Sequence, residues 1–173
     1  MKVPSTTRPT TQKTREALFN ILYSQIGSLE NLNFLDLFSG TGMIGITALK
    51  KGCDFVLFLD NNSKSCTLIK NNLKTYITTL NQSYKVLCCD FIKIKEYEKK
   101  FDIIFADPPY DIKEKDIETL FSLISQIINP NGLFIFECRK NKVLNYDISL
   151  LNLLFSKTYG DSCLVFFTPI YKD

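Results

Sequence analysis

The sequence predicts an α/β fold built on one mostly parallel β-sheet. Short apolar runs alternate with amphipathic stretches, which is typical of strand–helix–strand units. The first five runs are apolar on both faces, as expected of parallel strands covered by helices. The last two runs are joined only by Gly160 and Asp161, and so short a connection forces an antiparallel hairpin. We therefore expect a seven-stranded sheet that ends in a C-terminal antiparallel hairpin.

The elements can be placed in order along the chain. The 173 residues suffice for one sizeable core and are too few for two ordinary ones, so we expect a single domain over 1–173. Residues 1–10 form a polar arm, and a leading helix is predicted over 11–26 because Leu18, Leu22 and Ile26 share one face. The predicted strands are Asn33–Phe38, Phe55–Leu59, Lys85–Cys89, Asp102–Ala106, Leu133–Cys138, Leu151–Tyr159 and Cys163–Ile170.

The composition excludes several kinds of chemistry. The sequence contains no histidine, so Ser-His-Asp triads, Cys-His pairs and histidine-ligated metals are ruled out. Six cysteines occur without a C-x-x-C pair, and we expect no bound metal. No apolar segment approaches the roughly 20 residues needed to cross a bilayer, so we expect a cytoplasmic protein with no membrane partner. The net charge of +3 permits an anionic partner without identifying one.

A glycine-rich turn follows the first strand. Gly40, Gly42 and Gly45 form a G-x-G-x-x-G pattern between a strand and a helix, where glycine lets a ligand approach the main chain. Asp60 ends the second strand twenty residues after Gly40 and can accept hydrogen bonds from two ribose hydroxyls. These features predict a nucleotide-like cofactor, which a nicotinamide enzyme would share.

Two further carboxylates bear on the identity of that cofactor. Asp36 precedes the glycine turn, where it would repel a pyrophosphate but attract a sulfonium ligand that carries an ammonium group; alternatively, it only caps the turn. Asp90 ends the third strand, where it can accept from an adenine amino group or simply lie in a solvated loop. S-adenosylmethionine is therefore the expected cofactor, and its candidate binding residues are Asp36, Phe38, Gly40, Gly42, Asp60, Asn61, Asp90 and Phe91.

The sequence Asp107-Pro108-Pro109-Tyr110 directly follows the fourth strand. An aromatic amine is a poor nucleophile, so it must be oriented and desolvated before it can attack a methyl group. The Asp107 carboxylate and the Pro108 carbonyl can each accept one N–H of such an amine. The prolines stiffen the loop, and Tyr110 offers a ring on which an extruded base can stack. We predict a Rossmann-like methyltransferase in which Asp107, Pro108 and Tyr110 are catalytic, while Pro109 and Tyr110 contact the substrate.

Four stretches of the chain together resemble the bacterial 16S ribosomal RNA guanine-N2 methyltransferase family, the RsmD family. The matching stretches are Arg8–Thr11 running into Arg15–Leu22, Leu35–Gly42, Asp107–Tyr110 and Tyr159–Gly160. The resemblance implies that the substrate is a guanine of 16S ribosomal RNA, within the 30S subunit or an assembly intermediate, and that the enzyme acts as a monomer. It also implies that Arg8 lies near the mouth of the site, where it either contacts the RNA or only ties the arm to the domain.

Three other functions share part of this pattern. An adenine-N6 methyltransferase acting on RNA or DNA would use the same D-P-P-Y loop for its amine. An NAD-dependent oxidoreductase would share the glycine turn, although Asp36 and the D-P-P-Y loop argue against it. A non-catalytic protein that binds S-adenosylmethionine and assists ribosome assembly would keep the cofactor site without needing Asp107.

Overall fold

The structure is a computed structural model, and it describes residues 12–77, 83–144, 147 and 149–170. The predicted arm at residues 1–10, including Arg8, lies outside the described residues. Within the described part of the chain, no helix has both the length and the apolar character needed to cross a membrane.

Seven strands, four α-helices and one 3₁₀ helix follow one another along the described chain. The helices are α1 (Gln12–Ile26), α2 (Met43–Lys50), α3 (Ser63–Tyr76) and α4 (Glu114–Ile127), and the 3₁₀ helix is Phe91–Glu96. The strands are β1 (Asn33–Leu37), β2 (Phe55–Asp60), β3 (Ser83–Cys88), β4 (Phe101–Ala106), β5 (Ile128–Arg139), β6 (Leu151–Tyr159) and β7 (Ser162–Pro169). The predicted seven-stranded sheet is confirmed.

The sheet has the order β3-β2-β1-β4-β5-β7-β6. Strands β1 to β5 pair in parallel, while β7 is antiparallel to both β5 and β6. From β1 the chain moves outward to β2 and β3 and then returns to β4 on the other side of β1. The loops that leave β1 and β4 therefore diverge, and the crevice between them at the carboxyl ends of these strands is where open α/β sheets bind ligands.

Strand β5 begins at Ile128 instead of the predicted Leu133. The intervening Asn-Pro-Asn-Gly sequence is typical of a turn, but Asp102 holds it to the sheet. One carboxylate oxygen of Asp102 accepts a hydrogen bond from the side-chain amide of Asn129, and the other accepts from the backbone N–H of Asn33 at 2.8 Å. A single carboxylate thus joins the amino ends of β1, β4 and β5.

Two hydrophobic layers cover the sheet because successive residues of each strand point to opposite faces. One layer packs α4 and the 3₁₀ helix against the sheet, and Phe121 of α4 lies 5.1 to 5.6 Å from the rings of Phe134, Phe136 and Phe167. The other layer packs α1, α2 and α3 against the opposite face, with Phe19 stacked on Phe34 at 6.4 Å. The central strands β1, β2 and β4 are buried on both faces, as predicted for parallel strands. The prediction was wrong for β3, where no residue is buried, because this strand lies at the edge of the sheet.

Helix α2 lies unusually close to strand β2, and this sets the position of the glycine turn. A Cβ atom at Gly45 would overlap the ring of Phe58 and approach Val56 to 2.9 Å. Only a glycine therefore allows α2 to approach the sheet so closely.

We predict that Gly45→Ala lowers the free energy of unfolding by about 1–3 kcal/mol, the usual cost of overpacking a core. Urea denaturation provides the measurement. Phe58→Leu would make room for the added methyl group, so the double variant should be less destabilised than the sum of the two single variants. If the losses of unfolding free energy in the two single variants simply add up in the double variant, the close contact between Gly45 and Phe58 is contradicted.

Candidate functional site

The carboxyl ends of β1, β2 and β4 bring the predicted site residues to one edge of the sheet. The backbone N–H of Asp107 donates to the carbonyl of Leu37 at 3.4 Å, and that of Ser39 donates to the carbonyl of Leu59 at 3.2 Å. The glycine turn therefore lies between Asp60 on one side and the D-P-P-Y loop on the other.

The turn from Phe38 to Gly42 contains three residues in the left-handed region of backbone space. The φ angles are 58° for Phe38, 53° for Gly40 and 74° for Gly42. A phenylalanine in this region is strained and needs support from its surroundings. That support includes the ring of Phe91, whose centroid lies 5.6 Å from that of Phe38. Two predicted cofactor-binding aromatics are thus in contact.

Two side chains that the sequence analysis did not single out also fix this turn. The hydroxyl of Ser39 donates to the Asp36 carbonyl and accepts from the backbone N–H of Leu59 at 3.0 Å, which joins the ends of β1 and β2. The amide of Asn72, on α3, donates to the Thr41 carbonyl at 2.9 Å. Ser39 lies inside the glycine motif and could have been noticed; no sequence signal pointed to Asn72.

Asp60 is the acceptor at the centre of the turn. Its carboxylate oxygens accept from the backbone N–H groups of Gly40 and Asn62, both at 2.8 Å, and the residue is 8% exposed. Each carboxylate oxygen has a second lone pair, so Asp60 retains capacity for two ligand hydroxyls. Asn61, which follows it, is exposed.

Asp90 and Phe91 lie at the end of the neighbouring strand β3. The Asp90 carboxylate accepts from the backbone N–H of Ile92 at 3.0 Å and so caps the 3₁₀ helix. The side chain of Asp90 is nevertheless exposed, whereas that of Phe91 is buried. The exposed carboxylate could accept a hydrogen bond from the edge of an adenine, and the apolar ring beside it could pack against the face of that adenine.

Asp36 is fully buried beneath the turn, where its carboxylate accepts from the backbone N–H of Gly45 at 2.9 Å. Burial raises the pKa of Asp36 from 3.8 to about 8; the Gly45 hydrogen bond opposes this shift, and the charge of Asp60 adds to it. The contact with Gly45 agrees with the simpler interpretation that Asp36 holds the turn. A cation bound nearby would also stabilise the ionised form of this buried carboxyl group.

The D-P-P-Y loop borders a pocket of 320 Å³. Asp107 is half-buried, Pro108 is buried, and both Pro109 and Tyr110 are exposed. The guanidinium carbon of Arg139 lies 4.6 Å from the centroid of the Tyr110 ring, a cation–π arrangement. Glu137, Arg139 and Lys142 also line the pocket, although none of them was singled out from the sequence.

These residues fit S-adenosylmethionine better than a dinucleotide. A pyrophosphate needs positive charge or helix N–H groups around it, yet the sequence from Asp36 to Leu49 contains no Lys or Arg. The backbone N–H of Gly45, in the first turn of α2, is already bound by the buried Asp36 carboxyl group. A Cβ atom on Gly40 would meet only the Phe38 carbonyl, at 3.9 Å, so the main chain is accessible there. Among the described residues, no group of acidic residues and cysteines is arranged to hold a metal ion.

Comparison with known proteins points to one family. The family model described as conserved hypothetical protein 95 matches residues 1–168. A candidate rRNA methyltransferase of Bacillus subtilis, YlbH, is 32% identical over 160 residues, which cover 90% of this chain and 84% of the relative. The ribosomal RNA small subunit methyltransferase D of Haemophilus influenzae is 32% identical over 141 residues, which cover 79% of this chain and 70% of the relative.

Solved structures share the same fold. A candidate methylase from Haemophilus influenzae superposes with a TM-score of 0.72 at 26% identity, covering 91% of this chain and 88% of that one. The predicted Rossmann-like methyltransferase fold is therefore confirmed.

We predict that Asp36→Asn makes the stability of the ligand-free protein less dependent on pH. Asp36 has a pKa of 3.8 in the unfolded chain and about 8 in the folded one, so between these values the folded protein keeps a proton that the unfolded chain releases. Raising the pH from about 4 to about 8 should thus destabilise the native protein by up to about 1.4 kcal/mol per pH unit.

The asparagine oxygen can still accept from Gly45, and it carries no titratable proton. Urea denaturation at pH 5, 6, 7 and 8 measures the difference, with the exposed Asp111→Asn as control. Parallel pH profiles for the native protein and Asp36→Asn would disprove the raised pKa.

Proposed function

Because this chain belongs to the RsmD family, described as conserved hypothetical protein 95, we propose that it transfers a methyl group from S-adenosylmethionine to the N2 amine of a guanine in 16S ribosomal RNA. The whole chain acts as one catalytic domain. The observation that carries the proposal is the D-P-P-Y loop at the carboxyl end of β4, which lies beside the glycine turn and Asp60 at the crevice of the sheet.

The cofactor site is formed by the turn and the ends of β1 to β3. Asp60 accepts from the ribose hydroxyls, Asp90 accepts from the adenine amine, and Phe38, Asn61 and Phe91 surround these groups. Gly40 leaves the main chain open to the ligand, and Gly42 allows the left-handed turn while it packs against Ile69. The positive charge of the ligand favours the ionised form of the Asp36 carboxyl group. When bound, S-adenosylmethionine supplies a methyl group on a positively charged sulfur.

The amine site is formed by the D-P-P-Y loop. The Asp107 carboxylate and the Pro108 carbonyl accept the two N–H groups of the guanine amine, which directs the nitrogen lone pair toward the cofactor side of the crevice. Positive charge develops on the nitrogen as its bond to carbon forms, and the Asp107 carboxylate offsets that charge and can accept the proton that leaves. Pro109 and Tyr110 hold the extruded base in place.

The RNA is held by positive charge around the pocket. Arg139 and Lys142 line the pocket, and Lys140 between them is exposed. Lysine and arginine side chains of this kind contact phosphates. Within this proposal, the substrate lies in the 30S subunit or an assembly intermediate, Arg8 contacts the RNA, and the enzyme is a cytoplasmic monomer.

Methyl transfer to 30S particles that lack this modification tests the proposed reaction. Radiolabelled S-adenosylmethionine is incubated with the particles and the protein, and the RNA is then digested to nucleosides. We expect the label in N2-methylguanosine. Label in N6-methyladenosine would show that the methylated base is adenine. Absence of label from all RNA would favour the non-catalytic alternative.

In the same assay, Asp107→Ala should lower kcat by about 10²- to 10³-fold, which is the usual effect of removing one preorganised hydrogen-bonding group that stabilises developing charge. Its affinity for S-adenosylmethionine should stay near that of the native protein, because Asp107 contacts the amine and not the cofactor. Asp111→Ala is the matched control, since Asp111 is an exposed residue of the same loop. A kcat for Asp107→Ala close to the native value would refute this mechanism.

Asp60→Ala should weaken binding of S-adenosylmethionine by roughly 10- to 100-fold, which corresponds to the loss of one or two hydrogen bonds. Isothermal titration calorimetry gives the dissociation constant. Asp54→Ala is the control, because Asp54 is exposed at the opposite end of β2. An unchanged dissociation constant for Asp60→Ala would show that Asp60 does not bind the cofactor.

A further inference from the structure

We propose that Glu137 selects guanine over adenine by accepting a hydrogen bond from the N1–H group of the base. This inference rests on the proposed methylation of a guanine N2 amine and names the residue that determines its specificity. The observations that carry it are the strand register, the burial of Glu137 and the pocket that it shares with the D-P-P-Y loop.

The strand register places Glu137 beside Asp107. Ala106 of β4 pairs in parallel with Phe136 of β5, so the next position on each strand is Asp107 and Glu137 respectively. Side chains alternate along a strand, and Phe105 and Ile135, two residues earlier, belong to the layer under α1 and α2. Asp107 and Glu137 therefore leave the same face of the sheet on adjacent strands.

Glu137 has buried apolar neighbours along its own strand and on β7. Glu137 is 3% exposed and lies between the buried Phe136 and Cys138. On its other side it pairs with Leu164 of β7, which is fully buried. Desolvating a carboxylate is costly unless it keeps a partner, and Glu137 has one within the protein. A carboxylate has about four lone-pair sites, so it can also accept from a bound base. The presence of Glu137 at the wall of the pocket next to Pro108 and Tyr110 indicates a role in binding.

Two neighbouring carboxylates match the edge of guanine and not that of adenine. Guanine presents the N2 amine and the N1–H group side by side, and both are hydrogen-bond donors. Asp107 accepts from the first and Glu137 from the second. Adenine presents its N6 amine next to an N1 lone pair, which would face the Glu137 carboxylate. A buried acceptor opposite another acceptor loses its hydrogen bond and is repelled, so adenine is rejected.

The test uses target RNA that carries either guanosine or 2-aminopurine at the methylated position, assembled into 30S particles. 2-Aminopurine keeps the amine but has an N1 lone pair in place of N1–H. We expect the native enzyme to favour guanosine in kcat/KM by at least about 100-fold. Glu137→Gln, whose amide can donate as well as accept, should reduce this preference at least about 10-fold. The matched control is Glu118→Gln, on the exposed side of α4.

The outcomes separate this inference from the proposed function. A native enzyme that methylates 2-aminopurine and guanosine equally well would overturn the role of Glu137 without any variant. So would a Glu137→Gln enzyme that is slower on both bases by the same factor, because a structural residue would have that effect. If the native enzyme labels no guanine in any RNA, the proposed function itself fails, and this inference fails with it.

Discussion

The left-handed turn from Phe38 to Gly42 is the constraint on which the site depends. The turn follows β1 directly, and two hydrogen bonds tie it to β2: the N–H of Ser39 donates to Leu59, and the N–H of Gly40 donates to Asp60. The loop after β4 is tied to the end of β1 by the N–H of Asp107, which donates to Leu37. The turn is strained at Phe38, so it persists only because these contacts over-determine it. The same bonds that fix the turn also set the spacing between the cofactor residues and the D-P-P-Y loop.

Buried carboxyl groups are the second feature that links structure to function. Asp36, Asp60 and Glu137 are each less than one-tenth exposed, and burial disfavours the charged form of a carboxyl group. All three lie at the carboxyl ends of strands, where the crevice opens. A cationic cofactor and a base edge made of donors both need acceptors that are already oriented and shielded from water. In the proposed mechanism, the desolvation of these carboxyl groups is the cost of that preorganisation.

The sequence predicted the strands well because parallel strands are continuous apolar runs that end at polar residues. The same logic pointed to Asp60, Asp90 and Asp107, each of which follows or ends such a run, whereas Asp36 was noticed as a carboxyl group inside one. It missed the start of β5, because an Asn-Pro-Asn-Gly sequence is typical of a turn and only the tertiary contact with Asp102 holds it in the sheet. Asn72 and Arg139 were missed for a related reason, since their partners lie far away in sequence. The position of Arg8 and of the arm at residues 1–10 near the mouth of the site stays a prediction.

In the proposed mechanism, reaction type and base specificity are located on different strands. The D-P-P-Y loop of β4 can orient any aromatic amine, because its two acceptors contact the N–H groups of the amine and do not distinguish one ring from another. Specificity therefore requires a group that meets the neighbouring ring atom, and a strand adjacent to β4 can place a side chain there. On one side that strand is β1, whose end forms the cofactor turn. The other side is β5, where Glu137 lies. A change of base preference within this fold would thus be expected to arise at the end of β5 while the D-P-P-Y loop stays unchanged.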